Sequence, residues 1–179
     1  MELFHLSISE REKLEDFIRE YNEQLKRGII QSDLTYELSI TEFSEHGKRL
    51  LVAKEGAIAG LATYNLGELE DLLGTSGIFT DDILDKEGKG YTLPLSELPG
   101  LRTLNGSIAM YLSMIESFKK GTGRIIVQEL MNFQESEGIF LEPVFGASLF
   151  FKKLGFQETG VYIADEEKPL LVWTKSGNY

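Results

Sequence analysis

The apolar positions of the first thirty residues change period once. Phe4, Leu6 and Ile8 alternate with polar neighbours, the pattern of a half-buried strand. Ser9 and Glu12 then have the spacing of a capping box, in which each side chain satisfies a free backbone N–H at a helix start. Leu14, Phe17, Ile18, Tyr21 and Leu25 follow at helical spacing, and Gly28 is a natural stop. Leu34, Leu38 and Phe43 suggest a short second helix or a loop crossing an edge. Arg49 to Lys54 reads as a strand, Glu55-Gly56 as a tight turn, and Ala57 to Asn65 as the returning strand.

From Gly67 to Gly90 the chain turns acidic and glycine-punctuated, with Asp71, Asp81, Asp82, Asp85 and Glu87, and reads as a long, partly ordered excursion. Tyr91 to Leu98 is expected as a strand, distorted or at an edge because of Pro94. Ile108, Leu112, Ile115 and Phe118 recur at helical spacing up to Lys119-Lys120-Gly121, and the β-branched run Arg124 to Leu130 predicts another strand. A short helix is expected over Phe145 to Leu154, stopped by Gly155. Val161–Ala164 and Leu170–Thr174 close the chain as a hairpin. No internal repeat or linker divides the 179 residues, so a single mixed α/β domain is expected over 1–179.

Composition narrows the function classes. The absence of cysteine removes disulfides, thiol nucleophiles and thiolate metal sites together. The N-terminal residues lack the basic region and apolar run of a signal peptide, and no apolar stretch is long enough to span a bilayer, so the cytoplasm is the expected compartment and a membrane is not an expected partner. Eighteen basic residues against 29 acidic ones give a net charge of −11, which disfavours nucleic acid and attracts amines and basic peptides. His5 and His46 are isolated, so no metal site or catalytic triad is expected. The acidic segment lacks the residue order of a calcium loop.

The order strand, helix, hairpin, strand, helix, strand, helix, hairpin resembles the GNAT acyltransferases. Two stretches carry the resemblance: Leu51-Val-Ala-Lys-Glu-Gly-Ala-Ile-Ala-Gly-Leu-Ala, similar to the family's hairpin, and Gly146-Ala-Ser-Leu-Phe-Phe-Lys-Lys-Leu-Gly-Phe, similar to its late helix. The resemblance implies a mostly antiparallel central sheet flanked by helices. It also implies transfer of an acetyl group from acetyl-coenzyme A to an amine on a small molecule or peptide, and leaves a homodimer open. The family holds the coenzyme's pyrophosphate in a loop written Arg/Gln-x-x-Gly-x-Gly/Ala between a strand and a helix, where backbone N–H groups meet the phosphates. The corresponding stretch is taken as Pro99 to Ala109, with Arg102, Asn105, Gly106, Ser107 and Ala109 as the cofactor-binding residues. Asn105-Gly106 is equally a hairpin signal. On that alternative Leu101 to Leu112 is a β-hairpin and no phosphate loop exists there.

In many relatives a glutamate on the strand before the loop takes the amine's proton, which makes Glu97 the candidate base. The resemblance also implies a tyrosine acid on the late helix, at a position occupied here by Phe151. Tyr111 and Tyr162 are spatial substitutes or packed aromatics. Lys119, Lys120 and Arg124 either meet an anion or favour a helix C-terminus through its dipole. Three readings follow: an N-acyltransferase, a catalytically silent GNAT-like binding module, and, if Asn105 begins a hairpin, a β-barrel-like accessory domain of a nucleic-acid enzyme.

Overall fold

The computed structural model describes residues 1–31, 37–76, 83–84, 89, 100–144, 146–163 and 168–176. In chain order its elements are β1 (Glu2–Leu6), α1 (Arg11–Lys26), α2 (Ile40–Glu45), β2 (Arg49–Glu55), β3 (Ala57–Glu68), α3 (Leu69–Ser76), β4 (Ile83–Leu84), β5 (Ile108–Ser117), α4 (Thr122–Met131), β6 (Gly138–Leu141), α5 (Ser148–Lys153), β7 (Gln157–Ile163) and β8 (Lys168–Thr174). They fall into two units. The first comprises Met1–Asn65 with Met114–Leu130, and the second Leu66–Ser113 with Met131–Tyr179.

In the first unit β1, β2 and β3 pair antiparallel, with Phe4 opposite Val52 and Val52 opposite Leu61. Gly56, at φ +77°, makes the expected hairpin turn. The end of β5 is anchored beside β3 by the N–H groups of Phe118 and Lys119, which both donate to the Ala59 carbonyl at 2.9 and 3.1 Å. Helix α1 buries Leu14, Phe17, Ile18 and Tyr21 in a cluster with Leu50, Val52, Ile58 and Leu61, which is the face its spacing predicted. It ends where Gly28 takes φ +68° and donates to the Leu25 carbonyl. The expected capping box does not form. Ser9 lies in a 3-10 turn (Ile8–Glu10) closed by the Glu10 N–H on the Ser7 carbonyl, and its hydroxyl pairs with that of Ser7 at 2.7 Å. That turn delays the helix to Arg11 and takes Ile8 out of the strand. The short second helix is present as α2, with the Ser39 hydroxyl accepting from the Thr41 N–H.

The second unit carries the strand order β5-β6-β8-β7-β4. Strands β5 and β6 run parallel over Ala109–Tyr111 against Gly138–Phe140, and the other pairs are antiparallel. All four residues of β6 are buried, as a strand covered on both faces requires. Its core gathers Leu69, Leu72 and Leu73 of α3 against Leu104, Phe140 and Val172. The acidic segment after Gly67 therefore opens with an ordered helix; most of its remainder, like the strand expected over Tyr91 to Leu98, lies outside the described residues. The fold class is as expected: mixed α/β, with mostly antiparallel strands flanked by helices. Among the described residues no helix is long and apolar enough to cross a membrane.

Two elements differ in kind from the sequence reading. Residues 108–117 form a strand and residues 122–131 a helix, the reverse of what was expected. Both periods are present in each stretch. Ile108, Leu112, Ile115 and Phe118 mimic a helix, yet Met114 and Phe118 pack in the α1 cluster while Ala109 and Tyr111 pack with Phe140, so the true period is two. Ile125-Ile126-Val127 favours a strand by propensity, but Gly123, Ile126, Val127 and Leu130 are buried at i, i+3, i+4 and i+7. Burial of that stripe outweighs the small helix penalty of β-branched residues. A helix at Phe145 to Leu154 is present but shorter, over Ser148–Lys153, with Gly155 at φ +98° beyond it.

Gly138 is where the second unit has least room. A Cβ there would lie 2.6 Å from the Trp173 carbonyl oxygen and 2.6 Å from Leu104 Cδ2. Gly138→Ala should therefore force β6 away from β8 and destabilise the protein by about 1–3 kcal/mol, read as a lowered denaturation midpoint.

Candidate functional site

The residues expected to hold a phosphate sit before a strand. Arg102 begins an exposed 3-10 turn, Arg102–Leu104. Asn105 (φ −65°, ψ 132°) and Gly106 (φ +73°) then make a type II turn, closed by the Ser107 N–H on the Leu104 carbonyl at 3.2 Å. The Ser107 hydroxyl donates to the same carbonyl at 2.9 Å, and Ala109 is fully buried as the second residue of β5. No helix follows, so Arg102, Asn105, Gly106, Ser107 and Ala109 do not form a helix-entry loop. The reason is that β5 leaves this turn in extended conformation. Nor is Asn105-Gly106 a hairpin turn, since a 3-10 turn rather than a strand precedes it, and the nucleic-acid accessory reading loses its premise. Glu97 lies outside the described residues.

The strand-to-helix transition occurs sixteen residues after Leu101, at Ser117 to Thr122. Its sequence is Phe118-Lys119-Lys120-Gly121-Thr122-Gly123, which places glycines at both small-residue positions of the loop pattern and phenylalanine where that pattern has Arg or Gln. Gly121 takes φ +90°, a conformation open to glycine at little cost. The Ser117 hydroxyl closes the loop from inside: it donates to the Lys119 carbonyl at 2.8 Å and accepts from the Gly123 N–H at 3.2 Å. The Thr122 N–H donates to the Lys119 carbonyl at 3.1 Å. The N–H groups of Lys120, Gly121 and Arg124 have no acceptor among the described residues, as expected at the open end of a helix. Thr122 is fully buried, and its hydroxyl oxygen also has no partner among them.

Behind the loop, β3 comes as close as backbone allows. A Cβ on Gly60 would meet the Glu116 carbonyl oxygen at 2.7 Å, Thr122 Cγ2 at 2.8 Å and Ile126 Cδ1 at 3.1 Å. Gly60 thus lets α4 enter directly over β3.

Lys119, Lys120 and Arg124 cluster at the N-terminus of α4, where the helix dipole is positive, so the dipole reading of these cations is reversed. Lys119 is bound to Glu55 at 2.7 Å, and this hydrogen bond, then the lysine charge, holds the Glu55 carboxyl below its ordinary value of 4.5. Lys120 and Arg124 are exposed and have no acidic partner among the described residues. Two cations beside open helix-start N–H groups are chemically suited to an anion.

Strand β5 delivers one carboxylate to the loop's entrance. Glu116 is 8% exposed and accepts from the Tyr21 hydroxyl at 3.2 Å. In the second unit, Phe151 occupies the late helix and is buried between Phe150 and Phe156, at ring-centroid distances of 5.0 and 5.4 Å. Tyr111 is a packed aromatic on Phe140 at 5.1 Å; burial, then the charge of Glu142, raises its phenol above the ordinary 10. His5 donates or accepts at Nδ1 with the buried Tyr64 hydroxyl, 2.7 Å away, and its Nε2 lies 3.8 Å from Glu129 of α4.

Glu116, Ser117, Gly121 and Gly123 went unread in the sequence. The signal was there: Gly-x-Gly after two lysines, opening a helically spaced stripe at Gly123, Ile126, Val127 and Leu130.

No known protein family and no curated protein matches the chain. Among solved structures it is similar to a bacterial toxin, at 12% identity over 82% of this chain and 80% of the other, with a TM-score of 0.48. AtaTR bound with acetyl-coenzyme A is similar at 17% identity, 80% and 78% coverage and a TM-score of 0.46. The KacTA–DNA complex is similar at 16% identity, 76% and 79% coverage and a TM-score of 0.39. These likenesses are distant.

Ser117→Ala removes both internal bonds of the loop. It should cost about 0.5–2 kcal/mol in denaturation experiments and speed amide exchange at Gly123. The Lys119–Glu55 pair has a depressed carboxyl, so its contribution is present above about pH 4.5 and lost as pH falls through the lower folded-state value. Amide shifts of residues 118–124 should stay constant as pH falls from neutrality and move only below about pH 4.5.

Proposed function

We propose that the chain is a GNAT-like N-acyltransferase that moves an acetyl group from acetyl-coenzyme A to an amine. What supports this reading is the strand-to-helix loop from Ser117 to Arg124, with N–H groups and two exposed cations, Lys120 and Arg124, that have no partner among the described residues. A pyrophosphate needs several donors and positive charge in one place. The N–H groups of Lys120, Gly121 and Arg124 and the Lys120 and Arg124 side chains offer that set. Acetyl-coenzyme A bound there would supply an activated acyl thioester. The chain's net charge of −11 suits a cationic acceptor, on a small molecule or a peptide.

With β5 identified as the strand that feeds the loop, its one glutamate, Glu116, becomes the candidate base in place of Glu97. The Glu116 carboxylate takes a proton from the amine as the nitrogen lone pair forms the new C–N bond at the thioester carbonyl. The C–S bond breaks, and its electron pair leaves on sulfur. Thiols ionise near pH 8.5, far more readily than alcohols, so departure as thiolate is tolerable without the tyrosine that Phe151 replaces.

One observation favours a second reading, a coenzyme-binding module without catalysis: Phe151 is a packed core aromatic with no proton to give.

Calorimetric titration with acetyl-coenzyme A tests the site, and thiol release with spermidine or a lysine peptide tests the reaction. Saturable binding is expected, weakened about tenfold, or 1.4 kcal/mol, in the Lys120→Ala/Arg124→Ala double variant. Arg102→Ala should bind as the unaltered protein does. Binding without thiol release for any amine would select the silent module; no binding at all would refute both readings.

A further inference from the structure

Helix α1 contributes a side chain that touches both parts of the proposed site. We infer that Tyr21 is a positioning residue: its hydroxyl orients the Glu116 carboxylate, and its ring braces Phe118, the first residue of the coenzyme loop. The inference rests on the reading of Glu116 as the base.

Tyr21 is 1% exposed and donates to Glu116 Oε2 at 3.2 Å. Its ring lies 6.3 Å from that of Phe118 at a 39° tilt, and 6.3 Å from that of Phe17 at 24°. Leu14 and Ile18 flank it in the same cluster, so the phenol is held by packing as well as by its hydrogen bond. Phe118 is fixed in turn by its N–H on the Ala59 carbonyl at 2.9 Å. A buried carboxyl group needs hydrogen-bond partners, and the Tyr21 hydroxyl is one, at a distance long for O–H···O. Glu116 and Phe118 are two residues apart on an extended backbone, so they project to one side, and Tyr21 meets both. Charged neighbours on the packed elements are already engaged: Glu20 of α1 with Lys54 of β2, and Lys119 with Glu55. Tyr21 therefore couples base alignment to loop position through one rigid ring.

Two substitutions separate the hydroxyl from the ring. Tyr21→Phe keeps the ring, and should leave acetyl-coenzyme A affinity unchanged in calorimetry. Its thiol-release kcat should fall about tenfold with KM for acetyl-coenzyme A held, and the acidic limb of its pH–rate profile should shift. Tyr21→Leu removes the brace, and should also weaken acetyl-coenzyme A binding about fivefold. A Tyr21→Phe rate and pH profile that superimpose on the unaltered protein would overturn the inference. Glu116→Gln distinguishes the underlying reading: transfer at the full rate in that variant refutes Glu116 as base, whereas a slow Glu116→Gln beside a normal Tyr21→Phe refutes only the role of Tyr21.

Discussion

Between the end of β5 at Ser117 and the start of α4 at Thr122, the backbone has four residues in which to pass from an extended strand to a helix. Such a passage leaves carbonyls and N–H groups stranded on its inner side. The Ser117 hydroxyl satisfies one of each, donating to the Lys119 carbonyl and accepting from the Gly123 N–H. Gly121 supplies the left-handed turn, and Gly60 of β3 withdraws its side chain so that the first turn of α4 can sit against the sheet. Gly60 is small because another backbone passes it, and Gly121 because of its own positive φ. Together they leave the outward N–H groups of the loop free for a ligand.

The charges around the loop suit the anion proposed to bind there. In a chain with net charge −11, three cations gather at the positive end of a helix, where each is opposed by the dipole by up to about 1 kcal/mol. Glu55 relieves Lys119, while Lys120 and Arg124 are left to the solvent side. An incoming phosphate would be attracted both by these cations and by the positive end of the helix.

The proposed base lies in unit 1. Glu116 is placed at the loop's entrance by the same strand that positions the loop, and it is buried against Tyr21 of α1. Phe151 shows the opposite tendency in unit 2, where a position expected to carry a phenol has been absorbed into aromatic packing. An acyl transfer that relies on a good leaving group and a held base is compatible with both facts.

The pattern of apolar positions determined the flanks of this protein. Helix α1, the β2–β3 hairpin, the late helix before Gly155 and the closing β7–β8 pair were all legible, because their periodicity is long or their turns carry glycine. In the second half the helix before Gly155 was placed correctly, but the strand and helix at 108–117 and 122–131 were exchanged and β6 went unread. Residues 108–117 and 122–131 carry both periods, and short apolar runs do not identify their own conformation. What decided them was tertiary: Met114 and Phe118 had to reach the α1 cluster while Ala109 and Tyr111 reached Phe140, which only an extended backbone allows. The location of the site followed from that choice. A glycine-rich loop at a helix start suits an anion, and this helix start sits against Gly60, a contact with Thr122 across 62 residues that local sequence cannot contain.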